Sequence, residues 1–179
     1  MNMNSQRYHP VSAAIHWLMF LLIATALAAI EVRGNLPKTD TLRDTLKNLH
    51  MLAGQLVLLF LLFRLAARLA FAAPRELPGA RWQIAIAHAV HAILYLMMLA
   101  LPLSGIVLYQ SGGKDVSFFG ILLPHIVATD KSLHGNVHEV HEFLGNAIYF
   151  VVGLHILAAV WHHFIKRDAT VLRMLPWKK

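Results

Sequence analysis

The sequence contains no cysteine. That excludes disulfides, thiolate ligands to a metal and iron–sulfur clusters held by cysteine. Charge is scarce as well: only 14% of the 179 residues are Asp, Glu, Lys or Arg, well below the share of a soluble domain. No internal repeat, low-complexity tract or second domain is visible, so residues 1–179 read as one unit. Apolar residues fill the chain instead, at 58%, with a mean hydropathy of +0.56. Four runs carry the excess, at about residues 12–31, 46–70, 82–109 and 140–165. Each reaches the ~20 residues that cross a hydrocarbon core as a helix. The first has no small-residue cleavage motif and runs on into "IEVRGNLP", so it is not read as a cleaved signal peptide. The expected fold class is all-α: an integral membrane four-helix bundle whose first partner is lipid.

The net charge of +7 is a topology signal rather than a nucleic-acid footprint. Arg7, Arg64, Arg68, Arg75, Arg81, Lys166, Arg167, Arg173, Lys178 and Lys179 fall on one side of the expected spans, ten bases against six on the other. Acids run the opposite way, with Glu76 and Asp168 on the basic side and seven on the other. The positive-inside rule then puts both termini and the "RLAFAAPRELPGARW" connection in the cytoplasm. The connections at 32–45 and 110–137 face outward, and "FFGILLP" within the second suits the membrane interface. Trp17, Trp82, Trp161 and Trp177 stand near span ends, as an interfacial belt requires.

Twelve histidines stand out in so apolar a chain. A polar side chain inside a span is costly and normally has a partner. In "HEVHEFLGNAIYFVVGLH", His141 and His155 are fourteen residues apart, a rise of ~21 Å and a turn of about 1400°, so they share a helix face at two depths. His138 is ~100° from His155 and fails that test. Other spans supply matching depths. His16 in "AAIHWLMF" lies at the inner level with His155, and His50 in "LKNLHMLAG" at the outer level with His141. A single such histidine is ordinarily a packing or proton-relay group. Four at paired depths point to metal ligation, and two imidazoles on one iron are a standard arrangement for electron transfer by haem. Gly54 follows His50 by four and Gly145 follows His141 by four, which leaves a bare patch one turn from each ligand for a flat porphyrin.

The stretches "AAIHWLMFLLIA", "IEVRGNLPKTD", "NLHMLAGQLVLLFLLFRLAARL", "AHAVHAILYLMMLALPLSGIVL" and "NAIYFVVGLHILAAVWHHFIKRDATVLRMLP" together resemble the bacterial cytochrome b561 family over nearly the whole chain. The resemblance implies a four-helix protein of the bacterial inner membrane with two haem b groups, and superoxide oxidation coupled to ubiquinone reduction. Matched motif to motif, the family's haem ligands fall on His16, His50, His141 and His155. "LHGNVHEVHE", before His141, is richer in histidine than the family pattern.

Other polar residues have weaker expectations. Arg64, fourteen residues after His50, is at the inner level and suits a haem propionate, with snorkelling beside Arg68 as the alternative. His88 and His91 are placed as further ligands, quinone partners or propionate contacts. His162, seven residues after His155, is placed to hydrogen-bond a quinone carbonyl. His134, His138 and Glu142 have zinc spacing on a helix, but "HEVHE" is one residue short of the metalloprotease pattern. Pro102 and Gly105 in "LPLSG" predict a kink and a close backbone approach in the third span. Lys114, Lys131, Arg43 and Lys47 would draw an anion to the outer face. The leading expectation is a di-haem oxidoreductase that passes electrons across the bilayer. A lipid-soluble quinone follows as acceptor from the inner ligand level, and superoxide as donor from the resemblance. Its rivals are a haem-bearing membrane anchor of a hydrogenase or dehydrogenase complex and a histidine-based proton or metal transporter.

Overall fold

A computed structural model describes residues 7–176; Trp177, Lys178 and Lys179 lie outside the described residues. The chain forms four long helices: α1 (Pro10–Asn35), α2 (Leu42–Ala70), α3 (Arg81–Ser111) and α4 (Lys131–Val160). All four are long and apolar enough to cross a membrane. Local chemistry sets their ends. Pro10 opens α1, where a missing N–H costs nothing, and His9 Nδ1 accepts from Val11 N at 3.3 Å. Arg43 closes the same helix from outside, its Nη1 donating to the carbonyls of Arg33 (2.7 Å) and Leu36 (2.6 Å). Asp40 starts α2 by accepting from Leu42 N at 2.8 Å.

The helices pack as two antiparallel pairs, α1 on α2 and α3 on α4, joined through α2 and α3. Met19, Val57, Leu61 and Met98 make the buried centre, so the core sits where α1, α2 and α3 meet. The seam between α1 and α4 has less contact than any of these junctions. Large side chains elsewhere point outward, Phe150 at 80% exposure and Leu157 at 67%, as lipid-facing surfaces do.

The fourth helix begins nine residues before the apolar run from 140, at Lys131. Asp130 caps it, its Oδ1 accepting from Ser132 N (2.8 Å) and Leu133 N (2.9 Å). His134 ties the added turns to α3 by donating from Nδ1 to Leu108 O at 3.0 Å, lodged where Gly112 leaves room. Residues 131–137 are therefore helix, and only 112–130 connect. That connection holds a two-stranded hairpin, β1 (Ser117–Phe118) with β2 (Ile121–Leu122). Its turn residues Phe119 (φ 49°) and Gly120 (φ 83°) both take the left-handed conformation of a tight hairpin turn. Gln110, fully buried, clamps the return leg through Pro124 O and Ile126 N, both at 2.9 Å. Phe119, Ile121 and Leu122 are left exposed, in keeping with an interfacial position.

Beyond Val160 the chain makes one π-helical turn, Trp161–Lys166, and Arg167 ends it at φ 53°. The following segment folds back beneath the bundle. Met174 O accepts from the Trp17 indole N–H at 2.9 Å, Arg173 O accepts from Tyr8 N, and Arg173 Nη1 donates to Arg75 O. Tyr8 and the segment around Arg173 thus lie at one end of the bundle, the terminal end; the hairpin lies at the distal end.

Candidate haem-binding site

Two histidine pairs form at two depths. At the terminal end His16 of α1 faces His155 of α4, ring centres 6.1 Å apart. Nearer the distal end His50 of α2 faces His141 of α4 at 6.2 Å. A metal–imidazole bond of about 2.0–2.1 Å, plus about 1.1 Å from nitrogen to ring centre, sets two rings on opposite sides of one metal roughly 6.3 Å apart. Both separations match that requirement. His91 of α3 also approaches His155, but at 5.3 Å, about 1 Å too close to share a metal from the opposite side. It stands beside the terminal pair rather than across it.

Hydrogen bonds fix the distal rings. His50 Nδ1 lies 2.9 Å from Ala26 O, and a carbonyl only accepts, so Nδ1 carries the proton and Nε2 keeps a free lone pair. Ser104 gives its hydroxyl proton to Leu101 O (2.9 Å), so its oxygen accepts from His141 Nδ1 (2.9 Å). That leaves Nε2 of His141 free too. Ligating histidines are oriented in this way by partners on the other nitrogen. Ser104 was legible in the sequence as a lone hydroxyl within an apolar run, but it drew no functional expectation there; Ala26 acts through its backbone and carried no signal.

The glycines fit a flat cofactor. A Cβ on Gly54 or Gly145 would meet nothing within 4 Å, so both sites open onto free space. Gly105 is different: a Cβ there would come 3.4 Å from His141 Cε1, so the close approach expected in "LPLSG" is made to this ring. At the terminal end a cavity of about 330 Å³ opens around His16, His91, His155 and Arg64. It follows the loose seam between α1 and α4. Arg64 leans over the Tyr95 ring at 5.6 Å and donates Nε to its hydroxyl at 3.0 Å, which holds the guanidinium at the wall. A haem would thus meet imidazoles on both faces and a guanidinium for its carboxylates.

The remaining candidates separate. His88 is exposed and pairs with Glu76 at 2.7 Å, away from the cavity. His162 turns from the cavity to Asp168, Nδ1 to Oδ2 2.6 Å, with Thr170 Oγ1 at 3.3 Å. Its neighbour His163 lines the cavity, together with Val171 of the returning segment. The π-helical turn adds a residue to the local repeat, so phase carried down from His155 does not hold past Trp161. Burial alone would raise the Asp168 carboxyl, but hydrogen bonds from Thr170 and His162 outweigh it and hold the group below the usual aspartate range. His134 is committed to Leu108 O and His138 meets only Glu142, at 3.8 Å, so among the described residues no three-ligand metal cluster forms there.

At the distal end Arg43 is held against the end of α1 by its Nη1 bonds to the Arg33 and Leu36 carbonyls and keeps its charge there. Lys47 and Lys114 instead bring their ammonium groups to one ring, Tyr109, at 5.9 and 5.4 Å. Lys47 is one turn outward of His50, and Tyr109 one turn beyond Gly105, which touches His141. Two cations and a phenol therefore stand just outside the distal pair.

A family profile described as prokaryotic cytochrome b561 matches residues 7–177. The chain belongs to that family. It is 34% identical over 175 residues to a "Probable superoxide oxidase CybB" of Yersinia pestis, covering 97% of this chain and 98% of the relative. It is 33% identical over 174 residues to "Cytochrome b561 homolog 1" of Escherichia coli K12, covering 97% and 99%. A third relative, "Cytochrome b561 homolog 2" of the same organism, is 29% identical over 172 residues, covering 95% and 92%. This cytochrome b561 is a multi-pass inner-membrane redox protein for which the family implies b-type haem. The fold class expected from the sequence is the one found.

Proposed function

We propose that this cytochrome b561 binds two haem b groups and carries electrons across the inner membrane, from superoxide at the periplasmic face to ubiquinone near the cytoplasmic face. The observation that carries the reading is the pair of imidazole separations, 6.1 and 6.2 Å, at two depths of one bundle. The name of the Yersinia relative supports the donor. His16 and His155 hold the cytoplasmic haem, and His50 and His141 the periplasmic one. Bound there, the haems would supply one-electron carriers on both sides of the bilayer.

The chain's own residues do the rest. Two superoxide anions yield two dioxygen molecules and two electrons; a quinone takes those electrons with two protons to become a quinol. Lys47 and Lys114 draw the anion to the distal end, where attraction raises the encounter rate. Arg64 pairs a propionate of the cytoplasmic haem. His91, on the wall of the terminal cavity, positions the quinone, while His88, paired with Glu76, belongs to the cytoplasmic rim. His162 delivers a proton, its ring held by Asp168 beside the cavity-lining His163 and Val171. Purified protein should oxidise superoxide with ubiquinone as acceptor at two superoxide per quinol. Haem reduction by superoxide without any quinol formed would refute the coupling.

Two expectations follow at this level. His162→Ala should slow quinone reduction about tenfold or more while haem reduction by superoxide stays fast, as measured by stopped-flow absorbance. If haem reduction is lost and quinone turnover kept, His162 does not serve the acceptor. The ten-to-six basic asymmetry supports a cytoplasmic position for both termini. An alkaline phosphatase fused after Lys179 should then be inactive and a fluorescent protein there bright; the reverse pattern would invert the topology.

A further inference from the structure

Among the described residues, one buried side-chain nitrogen or oxygen lacks a hydrogen-bond partner: Arg33 Nε. Buried donors are normally paired, so a buried guanidinium N–H without an acceptor is an exception that needs an explanation. Arg33 is in the last turn of α1. Its helical phase relates it to the distal histidines. Seven residues separate it from Ala26, whose carbonyl accepts from His50 Nδ1. Seven residues turn about 700° and rise about 10.5 Å, so Arg33 stands on the same face of α1, two turns further out. Ala29, 3% exposed, lies between them on that face. The side of α1 that backs His50 thus runs outward to Arg33.

The local backbone is fixed and the local acids are taken. Arg33 O accepts from Arg43 Nη1 at 2.7 Å. Glu31 Oε2 accepts from the Tyr149 hydroxyl at 3.4 Å, Asp40 accepts from Leu42 N, and Asp44 meets Lys47 at 3.5 Å. None of these carboxylates answers Arg33. Arg33 Nε is left for an acceptor from outside the chain, and a haem offers two carboxylates that suit a guanidinium, its propionates.

We propose that Arg33 binds a propionate of the haem held by His50 and His141, as the distal counterpart of Arg64. The inference rests on the di-haem reading. It turns the carboxylate edge of that haem toward the distal end of the bundle. A cation held there also favours the reduced haem, which carries one positive charge fewer, and so raises that haem's potential.

The test is a redox titration of haem absorbance in purified full-length protein, resolved into two components, for wild type, R33Q, R33K and R64Q. R33Q should shift one component to lower potential, R64Q the other, and R33K should return the first most of the way. Loss of one haem in R33Q with its retention in R33K would equally support the assignment. R33Q leaving both components unmoved overturns it, and is the result if a lipid phosphate is Arg33's acceptor. R33Q moving the same component as R64Q overturns it as well. A wild-type chain without two bis-imidazole components would sink the di-haem reading itself, and this proposal with it.

Discussion

Replacing His50 or His141 with alanine is expected to leave one haem per chain, the one on His16 and His155, and replacing His16 or His155 to leave the other. The effect should be large. Removing a partner on the outer nitrogen of a ligating histidine costs about 10–100-fold in metal affinity, and removing the ligand itself should exceed that. The bundle should survive, because the buried centre of Met19, Val57, Leu61 and Met98 contains none of the four histidines. His91 gives the prediction an edge at the terminal site. It stands 5.3 Å from His155, too close to replace His16 across one metal, so it should not rescue the loss of His16. If His16→Ala keeps two haems with unchanged bis-histidine spectra by pyridine haemochrome and electron paramagnetic resonance, the assignment of His16 is wrong.

Gly54→Leu and Gly145→Leu should each cost a haem without touching a ligand. Leucine favours a helix interior over glycine by about 1 kcal/mol, and apart from the helix's own adjoining backbone nothing comes within 4 Å of a Cβ added at either position. On the protein's own packing both changes should therefore be neutral or stabilising. They become damaging only if something flat fills the space one turn from each ligand. The expected result is a chain that inserts, purifies and melts at least as high as wild type in the apo form, yet holds one haem in place of two. Alanine at the same positions should be intermediate. Two haems retained in Gly145→Leu would mean that the clearance beside His141 is not used by the cofactor.

The four helices were legible because lipid demands unbroken apolar runs, and hydropathy detects that demand directly. The start of α4 was not, because residues 131–139 carry Lys131, His134, His138 and Glu139 and resemble a loop to any hydropathy measure. They are helical through a local cap at Asp130, which hydropathy does not register, and the seat of His134 against Leu108 and Gly112, which the tertiary fold settles. The two histidine pairs were legible for the opposite reason: fourteen residues of regular helix carry phase faithfully, and antiparallel connectivity sets which depths meet. Arithmetic of that kind does not carry past Trp161, where a π-helical turn shifts the phase and Asp168 returns from beyond the helix to hold the His162 ring. Lys47 comes from α2 while Tyr109 and Lys114 lie together at the end of α3, and no local pattern announces the meeting of the two stretches.

The absorption spectrum of the purified, dithionite-reduced protein, with haem quantified per chain, tests the central claim most directly. Two haem b per polypeptide with the sharp α-band of six-coordinate, bis-imidazole iron is the predicted result. A colourless protein, or a single haem that survives each of the four histidine replacements, would contradict it.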